Sequence, residues 1–248
     1  MNFSFFKKKP VTVTPNLSFI GVDMHSHLLP GIDDGLQTVE QTVDFVRELH
    51  QLGYKKLICT PHILYGVHNN SAATILPALA LAKEAVAAAG IPVVIEAAAE
   101  YMLDENIENI LKSGEQLMTL KDKYMLIEMS YLAPSQNANE VIFELQLKGI
   151  TPILAHPERY NFYHKEFDKY ENFKDRGVLL QVNLLSLSGY YGKEIKQIAE
   201  RLIKEKFVDF IGTDMHHATH LQATKDYVST QGFYDLVKDI PLLNKTLL

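Results

Sequence analysis

Phe19-Ile-Gly-Val-Asp23, followed at once by Met24-His-Ser-His27, sets the pattern for the whole 248-residue chain. A short apolar run ends, and side chains able to hold metals or move protons follow. Near-continuous apolar character marks a strand buried on both faces, as in parallel sheets. Six more such runs occur, at 56–60, 93–97, 124–128, 151–155, 178–183 and 208–212. Amphipathic stretches separate them. Thr38 with Gln41 has the form of a capping box; Val39, Val43, Val46 and Leu49 then recur at helical spacing, and Gly53 ends the helix. Helices are also expected over 71–89, 139–147 and 194–206, whereas 106–120 shows no clear helical pattern. Seven strand–helix units of roughly 35 residues each suit a (β/α) barrel. An open doubly wound sheet is the alternative. No linker or composition break divides the chain, so 18–248 is read as one domain and 1–17 as an N-terminal tail.

Composition narrows the class. Hydrophobic residues make up 47% and charged residues 22%, ordinary for a folded domain. Lys and Arg total 24 against 30 Asp and Glu, a net charge of −6, which argues against a surface that tracks nucleic acid. A single cysteine, Cys59, rules out an intramolecular disulfide and fits a reducing, cytoplasmic setting. No apolar run approaches the ~20 residues of a membrane span. The start, Met1-Asn-Phe-Ser-Phe-Phe-Lys-Lys-Lys-Pro10, has its basic cluster after its apolar stretch, the reverse of a secretory signal. Its second reading, beside that of a tail, is a weak foothold on anionic lipid.

In a barrel of this kind the active site lies at the C-terminal ends of the strands. After the first run come His25 and His27, after the second His62, and after the third Glu100. Glu128 ends the fourth; His156 follows the fifth, Asn183 ends the sixth, and Asp214 and His216 follow the seventh. Any one of these alone is more often a hydrogen-bonded core residue or a solvated loop residue. Together, buried carboxylates without a metal would repel one another and lose their hydration. Imidazoles and carboxylates gathered on one rim are best explained by bound cations, and ligation without thiolate permits manganese, iron or zinc. His25 and His27, at i and i+2 of an extended segment, point to one side and can share an ion. The turn-rich loop Leu28-Leu-Pro-Gly-Ile-Asp-Asp-Gly35 can swing Asp33 or Asp34 back over it.

His25-Ser-His-Leu-Leu-Pro-Gly-Ile-Asp-Asp-Gly35, Thr60-Pro-His62, Glu100, Ile127-Glu128, Ala155-His-Pro-Glu-Arg-Tyr160 and Asp214-Met-His216 resemble the polymerase-and-histidinol-phosphatase (PHP) superfamily. More narrowly, they resemble its bacterial manganese-dependent protein-tyrosine phosphatases of capsule and exopolysaccharide synthesis. The resemblance implies a distorted, TIM-like (β/α)7 barrel holding three divalent ions. It implies that His25, His27, Glu100 and Asp214 hold the first. Glu100, His62 and His156 would hold the second, and Asp34, Glu128 and His216 the third. Arg159 resembles the family's phosphate-gripping arginine. Many relatives carry another arginine after the Asp-x-His motif. Here that stretch is His217-Ala-Thr-His-Leu-Gln-Ala-Thr224, so either His217 or His220 substitutes or the second phosphate clamp is missing.

The implied activity is hydrolysis of phosphotyrosine in proteins by a metal-bridging hydroxide, without a covalent enzyme intermediate. The implied partner is the tyrosine-rich tail of a membrane tyrosine kinase, at the inner face of the membrane. Three dications and Arg159 would outweigh the four carboxylates and attract a phosphate dianion into an otherwise acidic protein. Tyr131, Tyr160, Phe162, Tyr163, Tyr190 and Tyr191 fall in loops after strands, where Tyr160 and Tyr191 are the candidate substrate-binding rings. Gln181 and Asn183 are candidate donors behind the ligands. His50, His68 and His164 match no motif and are read as surface or packing residues. Cysteine catalysis is excluded, because the Cys-x5-Arg loop it needs would require arginine where Tyr65 stands. The rival activities are a small-molecule phosphatase, such as one for histidinol phosphate, and a metal-dependent deoxyribonuclease or amidohydrolase on a related barrel. The non-enzyme rival is a metal-stabilised scaffold that binds phosphotyrosine without cutting it.

Overall fold

A computed structural model describes residues 11–248. The elements run β1 (Val22–Asp23), α1 (Val39–Gln51), β2 (Lys56–Cys59), β3 (His62–Ile63), α2 (Ala72–Ala88), β4 (Val94–Ala97), β5 (Glu100–Met102), α3 (Ile107–Ser113) and β6 (Tyr124–Glu128). They continue α4 (Ala138–Leu147), β7 (Thr151–Ala155), α5 (Asp168–Asp175), β8 (Leu179–Asn183), α6 (Leu184–Ser188), α7 (Lys193–Lys204), β9 (Val208–Gly212), α8 (Ala218–Val228) and α9 (Gln231–Val237). Every strand pair is parallel, in the orders β1-β2-β4 and β3-β5-β6-β7-β8-β9. β2 and β3 are two halves of one broken strand, as are β4 and β5; both halves keep the same neighbour. Joining them restores seven strands in chain order, the expected distorted (β/α)7 barrel.

Ring closure, between β9 and β1, is made outside the strands proper. Just beyond their ends Ser26 bridges Met215, and His27 N–H donates to Met215 O at 2.9 Å. Lower down, where no ladder forms, the Asn244 amide fills in. Its Nδ2 donates to Val22 O and Ile211 O, and its Oδ1 accepts from Ile211 N–H. Beside it the buried Lys56 Nζ, paired with Glu96, donates to Leu247 O at 2.7 Å.

Inward-facing residues change character along each strand. On β6, Tyr124 and Leu126 point into the lumen and Glu128, two further on, points there too. Val22, Ile58, Ile153 and Phe210 fill the base with them. The larger apolar layer lies between strands and helices, each fully buried Leu or Ile contributing roughly 1.5–3 kcal/mol. The barrel therefore has an oily floor and a polar mouth. α1 begins at the expected capping box, with Gln41 N–H donating to Thr38 Oγ1 and Thr38 N–H to Gln41 Oε1. Its buried face is Thr42, Phe45, Val46 and Leu49, and Thr42 Oγ1 donates to Leu28 O, tying the following-strand loop to the helix.

Of the stretch read as a tail, residues 1–10, which carry the lipid-foothold reading, lie outside the described residues. Within 11–17, Thr12 bridges Thr230 and Leu17 is fully buried, its N–H donating to Leu52 O.

Candidate active site

The closure seam brings Met24-His-Ser-His27 against Asp214-Met-His216. His25 and His27 are fully buried and point the same way. Each has its Nδ1 proton committed: His25 donates to Gln181 Oε1 at 2.7 Å and His27 to Asp33 Oδ2 at 2.8 Å. These partners assign the tautomers. Both Nε2 lone pairs then face inward, and they lie 3.3 Å apart. Glu100 Oε2 stands 3.1 Å from one and 3.4 Å from the other, and Asp214 Oδ1 3.4 Å from each. In the neutral rings two lone pairs and two carboxylates converge on one point, which a proton or a metal cation can fill.

Asp33 reaches His27 because the loop doubles back, Leu36 N–H donating to His27 O at 3.1 Å. Gly35 permits it: a Cβ there would lie 2.1 Å from His27 O. Gly35 N–H also donates to Asp33 Oδ1, at 2.9 Å. Asp34, next along, stands exposed at the mouth. Asp33→Ala is expected to weaken metal affinity ~10- to 100-fold by freeing the His27 ring, measured by metal titration of the purified chain.

The remaining ligand candidates form two further groups. Asp34 Oδ1 lies 3.6 Å from both His62 Nε2 and His216 Nε2. His216, too, has its Nδ1 proton committed, to Asp214 O at 2.9 Å. Glu128 sits with the middle group instead: its carboxylate is 2.9 Å from His62 Nδ1 and 3.9 Å from His156 Nε2, which faces Glu100 Oε1 at 3.0 Å. The resemblance places Glu128 with Asp34 and His216, and His62 only in the second set; here the Glu128 carboxylate lies beside His62 and His156, and His62 also faces Asp34. Buried Glu100 Oε2 and His62 Nδ1 have no hydrogen-bond partner although they lie 3.2 Å apart. Orphaned lone pairs in an imidazole–carboxylate set fit divalent cations.

Electrostatics agree. Burial alone would raise the pKa of Glu100 and of Asp214, but the facing histidines, His25 foremost, hold both well below the ordinary range. Asp33 is likewise held low against burial by its bond from His27. Burial opposes charge on His25, yet Glu100 and then Asp214 push its pKa up from 6.5 to about 9. A metal-free fold therefore takes up protons that the unfolded chain would release. That stabilisation is full below pH 6.5 and is lost as pH rises toward about 9. The melting temperature of chelated protein is expected to fall across that window, while that of metal-loaded protein holds level. Parallel profiles for the two would count against the assignment.

β7 ends at Ala155, and His156 takes a left-handed backbone, φ 34°, to open a single 3-10 turn, Pro157–Arg159. Asp214, just past β9, also has a positive φ, 51°. Buried Glu158 anchors the turn, accepting from Asn183 N–H and Ser186 Oγ. Arg159 is thereby aimed over the centre. Its Nη1 donates to Asp214 Oδ2 at 2.9 Å, and its guanidinium carbon lies 4.6 Å from the Tyr131 ring centroid and 4.4 Å from that of Tyr191.

Residues 21–246 match the family described as capsular polysaccharide synthesis, CpsB/CapC. The chain belongs to this family. It is 28% identical over 219 residues to the tyrosine-protein phosphatase YwqE of Bacillus subtilis, covering 88% of this chain and 84% of the relative. It is 26% identical over 224 residues to the tyrosine-protein phosphatase CpsB of Streptococcus pneumoniae, covering 87% and 89%. Among solved structures it superposes, with a TM-score of 0.77 and 28% identity over 90% of this chain and 94% of the other, on one from work on YwqE and CpsB, described as unique metal-dependent tyrosine phosphatases.

In this CpsB/CapC chain the centre opens to a cavity of about 280 Å³. Asp34, His62, Glu128, His156, Asp214 and His216 form its floor; Arg159, Tyr131, Tyr191, His217 and His220 form its walls. Tyr160, expected as a wall, is instead fully buried beneath it. Its hydroxyl accepts from Met129 N–H at 2.9 Å and its ring stacks on Phe162. Tyr131 takes the place beside Arg159. Phe162, Tyr163 and Tyr190 are not among the residues lining the cavity. His68, read as a surface or packing residue, stacks on His62 and brings Nε2 within 3.9 Å of Asp34. A small hairpin, Leu64 bridging His68, carries it there, and no hydrophobic periodicity marks such a turn.

Proposed function

We propose that this CpsB/CapC chain hydrolyses phosphotyrosine in proteins at a divalent-metal centre. The ligands are His25, His27, Asp34, His62, Glu100, Glu128, His156, Asp214 and His216. The observation that carries the reading is the pair of Nε2 atoms 3.3 Å apart between two carboxylates, a donor set that suits a divalent cation. Manganese is our assignment; mixed imidazole and carboxylate ligation supports it while also accommodating iron or zinc. The names of YwqE and CpsB support tyrosine as the phosphorylated residue. As the phosphotyrosine protein we propose a membrane tyrosine kinase of capsule synthesis, the process that the family's description names. Among the described residues no helix is long and apolar enough to cross a membrane.

When bound, divalent cations lower the pKa of water from ~16 toward ~7 and neutralise phosphoryl charge. The chain's own groups do the rest. Arg159, its plane fixed by Tyr131 and Tyr191, offers donors to two phosphoryl oxygens in one fork. With cations bound, Gln181 and Asp33 would keep the ring protons of His25 and His27 on Nδ1, leaving each Nε2 to face the ions. The cavity has room for a phosphoaryl side chain. A phenolic leaving group, with a pKa of ~10, needs less proton donation than an alkoxide. Cys59 takes no part: it is buried in β2 and burial pushes its thiol up to about 12.

Phosphate release from a phosphotyrosyl peptide and from histidinol phosphate, each with and without a chelator, tests the reading. The peptide is expected to be the better substrate, and the chelator to stop its turnover. Full-speed turnover in chelator would overturn the metal centre. Preference for histidinol phosphate would move the activity to small molecules, and peptide binding without release would mark a non-catalytic scaffold.

A further inference from the structure

Gln181 and Asn183 stand two residues apart on β8, so both side chains enter the barrel, where both are fully buried. Together they span the ligand cluster. Gln181 Oε1 faces His25 Nδ1 at 2.7 Å and the main-chain N–H of His156 at 3.4 Å. Gln181 Nε2 donates to Asn183 Oδ1 at 2.8 Å, and Asn183 Nδ2 donates to Asp214 Oδ2 at 2.7 Å. The two ends fix both amides. A main-chain N–H only donates, so the atom facing His156 is the Gln181 oxygen. The Asp214 oxygen already accepts from Arg159 and, as a carboxylate, has only lone pairs to offer, so the atom facing it is the Asn183 nitrogen. The middle bond follows, and neither amide can flip without setting like atoms together. Gly212 leaves the room required: a Cβ there would lie 2.7 Å from His25 Cβ and 3.0 Å from Gln181 Nε2.

We propose that Gln181 and Asn183 are positioning residues forming a one-way amide relay that prepares His25 and Asp214 as ligands of the same cation. At one end the relay keeps the His25 proton on Nδ1 and so turns the Nε2 lone pair inward. At the other it joins Arg159 in occupying Asp214 Oδ2, which leaves Oδ1 facing His25 and His27. The sequence reading had both amides as donors to the ligands. Gln181 does the opposite and accepts from His25, and only this polarity lets Asn183 donate to Asp214. The inference rests on the metal-centre reading above.

Equilibrium dialysis against Mn²⁺ tests it, on the full chain as wild type, Gln181→Glu, Asn183→Leu and the double variant. The melting temperature of each after chelation serves as the folding control. Gln181→Glu nearly keeps the volume and still accepts from His25 and His156, but it cannot donate to Asn183. The relay predicts Mn²⁺ affinity ~10- to 100-fold weaker in each single variant. It also predicts a double variant no worse than the weaker single one, because a chain broken twice is still one broken chain. Chelated melting temperatures should stay close together; if leucine prevents folding, Gln181→Glu alone decides. Wild-type affinity in Gln181→Glu would show that Gln181 acts only as an acceptor for His25 and would overturn the relay, as would losses that multiply in the double variant. A wild-type chain that retains no Mn²⁺ would overturn the metal reading beneath it.

Discussion

Glu100→Gln is expected to lower phosphotyrosyl-peptide hydrolysis at least ~10³-fold and to remove metal from the chain, because cation chemistry supplies several kcal/mol of the barrier reduction and each 1.4 kcal/mol is tenfold. Glu100 faces more histidines than any other carboxylate of the centre. Its Oε2 faces His25, His27 and His62 at 3.1, 3.4 and 3.2 Å, and its Oε1 faces His156 at 3.0 Å. Glutamine has the same outline, but it removes one negative charge and turns an amide donor toward a ring nitrogen or an ion. Steady-state assays with a phosphotyrosyl peptide, paired with elemental analysis, measure both consequences. The holoenzyme should also melt earlier than wild type, since binding energy for the ions is folding energy. Unchanged turnover with full metal content would mean that the carboxylate does not hold ions.

Arg159→Ala should have the second-largest effect, through a different quantity. We expect turnover to fall ~10²- to 10³-fold, the scale of losing one aimed donor to a transition-state oxyanion, with inhibition by inorganic phosphate weakened alongside. Metal content should stay near wild type, because Asn183 continues to hold Asp214 Oδ2. Arg159→Lys separates charge from shape. Lysine restores the charge but lacks the planar fork and stacks poorly between Tyr131 and Tyr191, so most of the loss should remain. Metal loss in the alanine variant would instead make Arg159 a structural partner of Asp214.

The seven apolar runs were legible because burial on both faces leaves few polar residues in a strand. What they hid were the breaks. Pro61 between β2 and β3, and the alanines between β4 and β5, look like strand ends, yet the chain carries on in register and delivers His62 opposite Glu100. α3 has seven residues and stops at Gly114 (φ 76°), too short for a helical period to show. α5 buries only Tyr170 and Phe173, and α6 follows directly from β8, so neither presents an amphipathic stripe. At the site, the residues that converge were readable from their places after strands. Their partition was not, because it depends on rotamers: Glu128 turns toward His62 rather than Asp34. Tyr160 misled because position in a loop says nothing of direction; its ring points down onto Phe162, and Tyr131 from the neighbouring loop covers Arg159.

The amide of Asn244, which stitches the wall where β1 and β9 fail to pair, lies 222 positions from its acceptor on Val22. A nascent chain can pair its first strand with β2 early, but the strand's other edge must wait for β9 and Asn244, almost the whole of translation. Until then that side of the ring lacks its full set of contacts. Contacts this distant form late and slowly. The stretch that never approaches the chemistry thus decides when the chain can first hold it.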